Sequence, residues 1–272
     1  MPQKDIALQN ENSWLSEYSA PDELFPVADN DWEIPSLRLD VQPTGCTIPM
    51  LAYGEQKRTY DMMGNGTLHF YVDDYRYPDI YQHPEKILQH HPMNIVEPNF
   101  SLFNETPAAF GLQAVYKKRW IGRFCQNKGI GVFVDLNVAQ KFIKLNLLGV
   151  PMGYNAFCTR GYSDRLQALE IEWELARGIS GRDRPLFVCY GGGRVCKDFC
   201  AKVGAIYVTP IVSVKTKEKA LQSLLADGCI AFADADYNQA AIGKAQQQLW
   251  IDQVVDFAQN KVEGKTIKQI EQ

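Results

Sequence analysis

Four acidic residues, Asp73, Asp74, Glu97 and Asp135, stand where short apolar runs end in this chain of 272 residues. The runs are His69-Phe70-Tyr71-Val72, Asn94-Ile95-Val96 and Val132-Phe133-Val134. Carboxylates brought together hold hard divalent cations through oxygen, and such a cation organises phosphate chemistry or activates water. These four are the candidate catalytic residues, with Mg or Mn as the candidate cofactor. No metal motif fixes their spacing, so the same acids also fit a plainer role: capping helices and accepting from loop amides.

A second group is Tyr190-Gly191-Gly192-Gly193-Arg194, placed between an apolar run and a helical stretch. Glycines there let backbone N–H groups approach an anion at a helix N-terminus, with Arg194 to pair with its charge. The segment is neither a Walker loop nor a G-x-G-x-x-G fingerprint. Asn99, Ser101, Asn137 and Arg160 follow or close other runs and complete the set of candidate ligand contacts.

Other groups read as structural. Cys189, Cys196 and Cys200 lack the paired short spacings and fourth ligand of a thiolate zinc site, which favours core packing. His69, His83, His90 and His91 carry no H-E-x-x-H pattern and read as a solvated cluster. No G-x-S-x-G elbow supports serine catalysis. Arg119, Trp120, Arg123, Arg160, Arg177, Arg182 and Arg184 could line a nucleic-acid path, although isolated basic residues on helices more commonly form solvated faces.

The elements that must position these groups are legible in the apolar runs. Further runs end at Thr159-Arg160, Tyr190-Gly191, Thr209 and Asp234, and most are followed by a helix-like stretch. Strands buried on both faces read as short continuous apolar runs, and parallel strands need crossover helices. The expected fold is therefore α/β, a (β/α) barrel or an incomplete one, whose strand-end loops converge on one rim. Residues 1–45 are expected to form an irregular arm that docks Trp14, Tyr18, Phe25 and Trp32 on the body. The α/β core is assigned to 46–236, and a C-terminal helix and tail to 237–272. The clearest helix is Pro107 to Lys128, capped by Thr106 and stopped by Gly129, with a buried stripe of Phe110, Ala114, Ile121 and Cys125. Helices are also expected over Asp164 to Gly178, Gly193 to Lys202, Lys215 to Ala226 and Gln239 to Lys261.

Bulk properties narrow the class. A 46% hydrophobic, 22% charged chain is ordinary globular material. A net charge of −4 argues against coating nucleic acid by bulk charge while leaving room for a local basic groove. The polar first thirty residues lack a signal-peptide core, and no stretch approaches the roughly 18 apolar residues of a membrane span. Seven cysteines, an odd number, fit free thiols in a reducing compartment. The cytoplasm is the expected location, with no membrane partner.

Several short motifs occur in an order that resembles one family. They are Phe70-Tyr71-Val72-Asp73-Asp74-Tyr75-Arg76, Glu97-Pro98-Asn99-Phe100-Ser101, Arg119-Trp120 within Tyr116 to Ile130, Gly149-Val150-Pro151-Met152-Gly153 and Tyr190-Gly191. Together they resemble the domain of unknown function 4417 family of bacteria, archaea and their viruses, over residues 68 to 193. The resemblance implies association with phages and other mobile elements and implies no reaction. It carries over most directly to Asp73, Asp74, Ser101 and Tyr190. The chain departs from the family pattern at Asn99, where Asp is common, and near Val134-Asp135-Leu136-Asn137, where Pro is common. The leading expectation is a mobile-element protein that binds a phosphorylated small molecule, nucleotide or nucleic acid at the rim, with metal-dependent phosphoester chemistry as its catalytic form. The competing expectation is a non-enzymatic replication, packaging or defence module whose acids support loops.

Overall fold

The computed structural model describes residues 25–26, 30–54 and 62–210. Seven strands form one sheet in sequence order: β1 (Met50–Ala52), β2 (Thr67–His69), β3 (Asn94–Val96), β4 (Gly131–Asp135), β5 (Ala156–Arg160), β6 (Leu186–Tyr190) and β7 (Ile206–Val208). Every neighbouring pair is parallel. The sheet is curled into a half-barrel with helices flanking it, as expected for an α/β chain of barrel type. The run ending at Asp234 and the helices expected beyond residue 210 lie outside the described residues, as do Trp14 and Tyr18 of the arm.

Register assigns the two faces. Side chains alternate along a strand and paired residues of parallel neighbours share a face. His69, Val96, Phe133, Cys158, Val188 and Val208 therefore lie on the concave side with Asp135, Arg160 and Tyr190. Leu68, Ile95, Val132, Phe157, Phe187 and Cys189 face the helices. All of these are buried except Arg160, which is why the strands read as continuous apolar runs rather than alternating ones.

Helices α1 (Glu85–Leu88), α2 (Ala108–Asn127), α3 (Ile143–Asn146), α4 (Leu166–Ser180) and α5 (Gly193–Val203) alternate with the strands. Helix α2 begins one residue later than expected, because Pro107 holds an extended ψ of 145° and serves as the N-cap itself. Thr106 instead accepts the Phe103 N–H at 3.0 Å. The expected stripe is also shifted. Phe110 is 63% exposed, and the buried face is Gly111, Val115, Lys118, Arg119, Ile121, Gly122 and Cys125. Gly122 is needed at the closest approach to the sheet, since a Cβ there would lie 3.2 Å from Glu97 Oε1 and 3.3 Å from Val132.

The described part of the arm contacts this helix through one of the four named aromatics. Phe25 packs on Trp120 with ring centroids 5.3 Å apart, while Trp32 stays exposed. Gln126 receives the Arg38 N–H and donates to the Arg38 carbonyl at 3.0 Å. Further on, Thr47 enters the lower concave face, where Asn94 Nδ2 donates to its hydroxyl at 2.7 Å and Thr67 donates to its carbonyl, also at 2.7 Å. This segment thus packs on the N-terminal ends of β2 and β3.

Candidate functional site

The acids at the strand ends divide into two sets. Glu97 and Asp135 are fully buried and adjacent, the Asp135 N–H donating to Glu97 Oε2 at 3.2 Å. Two consecutive cations of α2 neutralise them. Arg119 donates to Glu97 Oε1 and to the carbonyls of Leu148 (2.9 Å) and Asn146 (2.5 Å). Lys118 donates to the Asp135 carboxylate and carbonyl, both at 3.1 Å. Asp135 also accepts from the Tyr71 hydroxyl and the Asn137 N–H, each at 3.1 Å. Burial pushes both carboxyls up, with Arg119 and Lys118 pulling against it. The result is a neutral buried quartet that ties β3, β4 and α2 together, with few lone pairs left for a ligand.

Asp73 and Asp74 lie apart from that quartet, after β2. Asp73 is exposed. Asp74 accepts from the Ser101 N–H and hydroxyl and from the Tyr77 hydroxyl, each at 3.0 Å, which joins the loops after β2 and β3. Asn99 donates to the Asn137 carbonyl at 3.3 Å and so joins the loops after β3 and β4. Among the described residues, no three His, Cys, Asp or Glu side chains are grouped to hold a metal ion. The four candidate catalytic acids therefore do not meet around one point, and Asp74, Asn99 and Ser101 act between loops.

What does converge is a polar and aromatic mouth on the concave side. Strands β2 and β6 are four places apart in the sheet, which on a flat sheet is about 19 Å. The curl brings the His69 and Tyr190 rings to 4.2 Å, and Tyr71 and Tyr190 to 6.0 Å with planes 26° apart. Arg160, closing β5, donates to the Tyr71 carbonyl at 3.4 Å. Its guanidinium carbon lies 5.5 Å from the Tyr162 ring centre, and that of Arg165 lies 3.8 Å from the same ring. Arg160 and Arg165 are exposed, and neither forms an ion pair among the described residues. His69 is 1% exposed, and burial with Arg160 nearby lowers its pKa to about 3. Its Nδ1 accepts the Tyr71 N–H at 3.2 Å, so the proton of the neutral ring sits on Nε2, which has no hydrogen-bond partner among the described residues.

The glycine loop borders this mouth. Gly191, Gly192 and Gly193 all have positive φ, at 80°, 85° and 70°. Gly192 is packed rather than open: a Cβ there would strike Cys196 Sγ and sit 2.7 Å from the Gly161 carbonyl carbon. The loop therefore packs the β6–α5 turn on the β5–α4 turn. Arg194 is 93% exposed and lies 3.5 Å from Asp198 one turn on, so its charge is partly matched within α5.

Several expectations are corrected by this geometry. His69 is buried in the mouth, while His83 and His91 are exposed. Arg119 is buried, where a solvated helix face was expected. Arg177 pairs with Glu174 and Asp183, and Arg182 and Arg184 precede β6, so these three sit at the opposite end of the sheet from Arg160. The path drawn through all the arginines is not continuous. Cys189, Cys196 and Cys200 are buried free thiols, as expected of core packing. Sequence reasoning missed Tyr71, Lys118 and Arg165 as site-builders. The alternation Thr67, His69, Tyr71 was the available signal that His69 and Tyr71 share one face.

Among the described residues, no helix is long and apolar enough to cross a membrane. No solved structure matches the chain. The Gene 1 protein of Mycobacterium phage L5 is 31% identical over 177 residues, covering 61% of this chain and 74% of that protein. The Gene 1 protein of Mycobacterium phage D29 is 35% identical over 184 residues, covering 64% of this chain and 65% of that protein, slightly under two thirds of its length. The family model described as Domain of unknown function (DUF4417) matches residues 27–203, a span that holds the sheet from β1 to β6, the buried quartet and the mouth. The chain belongs to this phage-associated family.

Proposed function

We propose that the mouth at the C-terminal ends of β2 to β6 binds a phosphorylated partner, a nucleotide or a stretch of single-stranded nucleic acid, and that the strand-end acids serve the fold. The observation that carries this reading is the exposed pair Arg160 and Arg165, 5.5 and 3.8 Å from the Tyr162 ring centre and in no ion pair among the described residues, beside the ring group of His69, Tyr71 and Tyr190. Guanidinium groups take phosphate oxygens in bidentate fashion, and aromatic faces take bases with little regard to sequence. On a chain of net charge −4 such a local basic mouth also orients an anionic partner.

Metal-dependent phosphoester chemistry is less well supported. It asks for carboxylate oxygens that converge with lone pairs to give, whereas Glu97, Asp135 and Asp74 engage theirs with Arg119, Lys118, Ser101 and Tyr77. Ultraviolet crosslinking of the protein to a single-stranded oligonucleotide, followed by peptide mapping, tests the proposal. Crosslinks are expected on the segments holding Tyr71 to Arg76 and Arg160 to Arg165. Crosslinks confined to the N-terminal end of the strands, or none, would overturn it.

A further inference from the structure

The unpartnered nitrogen of His69 asks for an acceptor. Buried N–H groups are nearly always paired in native proteins, and one left without a partner marks a water or a ligand group. The His69 Nδ1 bond to the Tyr71 backbone fixes the tautomer, so Nε2–H is a donor of set direction. Its surroundings are aromatic. Tyr190 covers it at 4.2 Å and Tyr71 lies at 5.4 Å between ring centres. The one cation at the mouth that touches this group is Arg160, which donates to the Tyr71 carbonyl from an exposed position.

A neutral donor deep in the mouth and a cation at its edge match the two ends of a nucleotide. A phosphate belongs at the edge, where its charge stays partly hydrated and meets the guanidinium. A planar base with a carbonyl oxygen belongs inside, where rings stack on its faces and a neutral N–H meets a neutral acceptor without burying a charge.

We propose that the mouth is a single-nucleotide subsite in which His69 Nε2–H reads a carbonyl of the base while Arg160 holds the phosphate. This rests on the phosphate-binding reading above and adds to it a ligand class and a specificity residue. Tyr190 lies over His69 at 4.2 Å between ring centres, so entry of the base requires that ring to move aside. Of the three glycines that follow, Gly193 has open space around it, while Gly191 faces Pro210 and Gly192 faces Cys196 and Gly161. His69 is a specificity residue here and takes no part in any bond-breaking step.

The test compares UMP with ribose 5-phosphate, which has the same phosphate and sugar and no base, by isothermal titration of the full chain. Wild type is expected to bind UMP at least tenfold more tightly. His69→Phe keeps a ring and removes the donor, and is expected to bring the two affinities within twofold of each other. His69→Gln keeps an N–H donor and is expected to retain part of the preference. Arg160→Ala is expected to weaken both ligands by a similar factor. Circular dichroism establishes that each variant is folded, and the wild-type comparison stands without any variant. Equal binding of UMP and ribose 5-phosphate by wild type, a preference unchanged in folded His69→Phe, or no binding of either ligand would overturn the inference, with a bound water as the partner of Nε2. If the oligonucleotide still crosslinks at Arg160 to Arg165 in that event, only the base-reading subsite fails. If it does not, the phosphate-binding reading fails with it.

Discussion

Glu97→Gln separates a structural acid from a catalytic one. The side chain is fully buried, and its carboxylate faces Arg119 on one oxygen and the Asp135 N–H on the other. The amide keeps the shape and one acceptor oxygen but removes the negative charge, leaving the Arg119 guanidinium buried with only the Leu148 and Asn146 carbonyls. Breaking a buried ion pair on one side costs about 3–5 kcal/mol, because the remaining charge has lost its counter-ion. Arg119→Met should cost a similar amount by stranding Glu97. The double variant Glu97→Gln, Arg119→Met strands neither charge and should cost less than the two single losses added together, leaving a coupling of about 2 kcal/mol or more. Urea unfolding followed by tryptophan fluorescence measures all three, provided the slope with denaturant stays constant. The reasoning is refuted if Glu97→Gln changes stability by less than about 1 kcal/mol while abolishing ligand binding, since Glu97 would then belong to the site and not to the frame.

Three further outcomes follow from single contacts. Glu172 of α4 is buried, and burial raises its pKa to about 8, with Thr159 and Arg165 opposing. The folded state therefore keeps a proton that the unfolded chain releases near its ordinary value of 4.5, so stability should fall as pH rises between those values, by at most about 5 kcal/mol. Glu172→Gln should flatten that fall and raise the melting temperature at pH 8; a steeper fall would contradict the assignment. Gly192→Ala should cost about 2–4 kcal/mol, since it adds left-handed strain to a collision with Cys196 and Gly161, while Gly193→Ala, with open space around it, should cost about 1 kcal/mol, both read from thermal melts. Asp74→Ala should lose about 1–3 kcal/mol by leaving the Ser101 N–H and hydroxyl without their acceptor, while the Tyr77 hydroxyl keeps the Asn99 carbonyl at 2.6 Å, and a melt unchanged with or without Mg²⁺ would remove Asp74 from the loop frame.

The sheet was legible because burial on both faces writes each strand as an apolar run: five of the named runs became parallel strands in chain order, and the run His69 to Val72 overlaps β2 at His69 alone. Arg160 and Tyr190 were legible for the same reason, being the last residues of β5 and β6. The side-chain assignments were harder. A carboxylate closing a strand looks the same whether it faces a ligand or a buried cation, and only the packed helix shows that Lys118 and Arg119 reach Asp135 and Glu97. The offset in α2 moved Phe110 outward and these two cations inward, a shift of about one residue that hydrophobic spacing does not resolve when glycine and lysine share the buried face. His69 was hidden by its neighbours in sequence, because His83, His90 and His91 suggested a surface cluster that the curl of the sheet divides.

The most direct measurement is fluorescence anisotropy of a labelled single-stranded oligonucleotide titrated with wild type and with the Arg160→Ala, Arg165→Ala double variant at 50 and 200 mM salt. Phosphate contacts release counterions, so wild-type affinity should fall with salt with a slope of about −0.7 per contact on a logarithmic plot. Removing both arginines should weaken binding at least tenfold at the lower salt and reduce that slope by about 1.4, the share of two contacts. Binding that is absent in wild type, or that keeps its affinity and slope without Arg160 and Arg165, would contradict the assignment of the mouth as a phosphate-binding site.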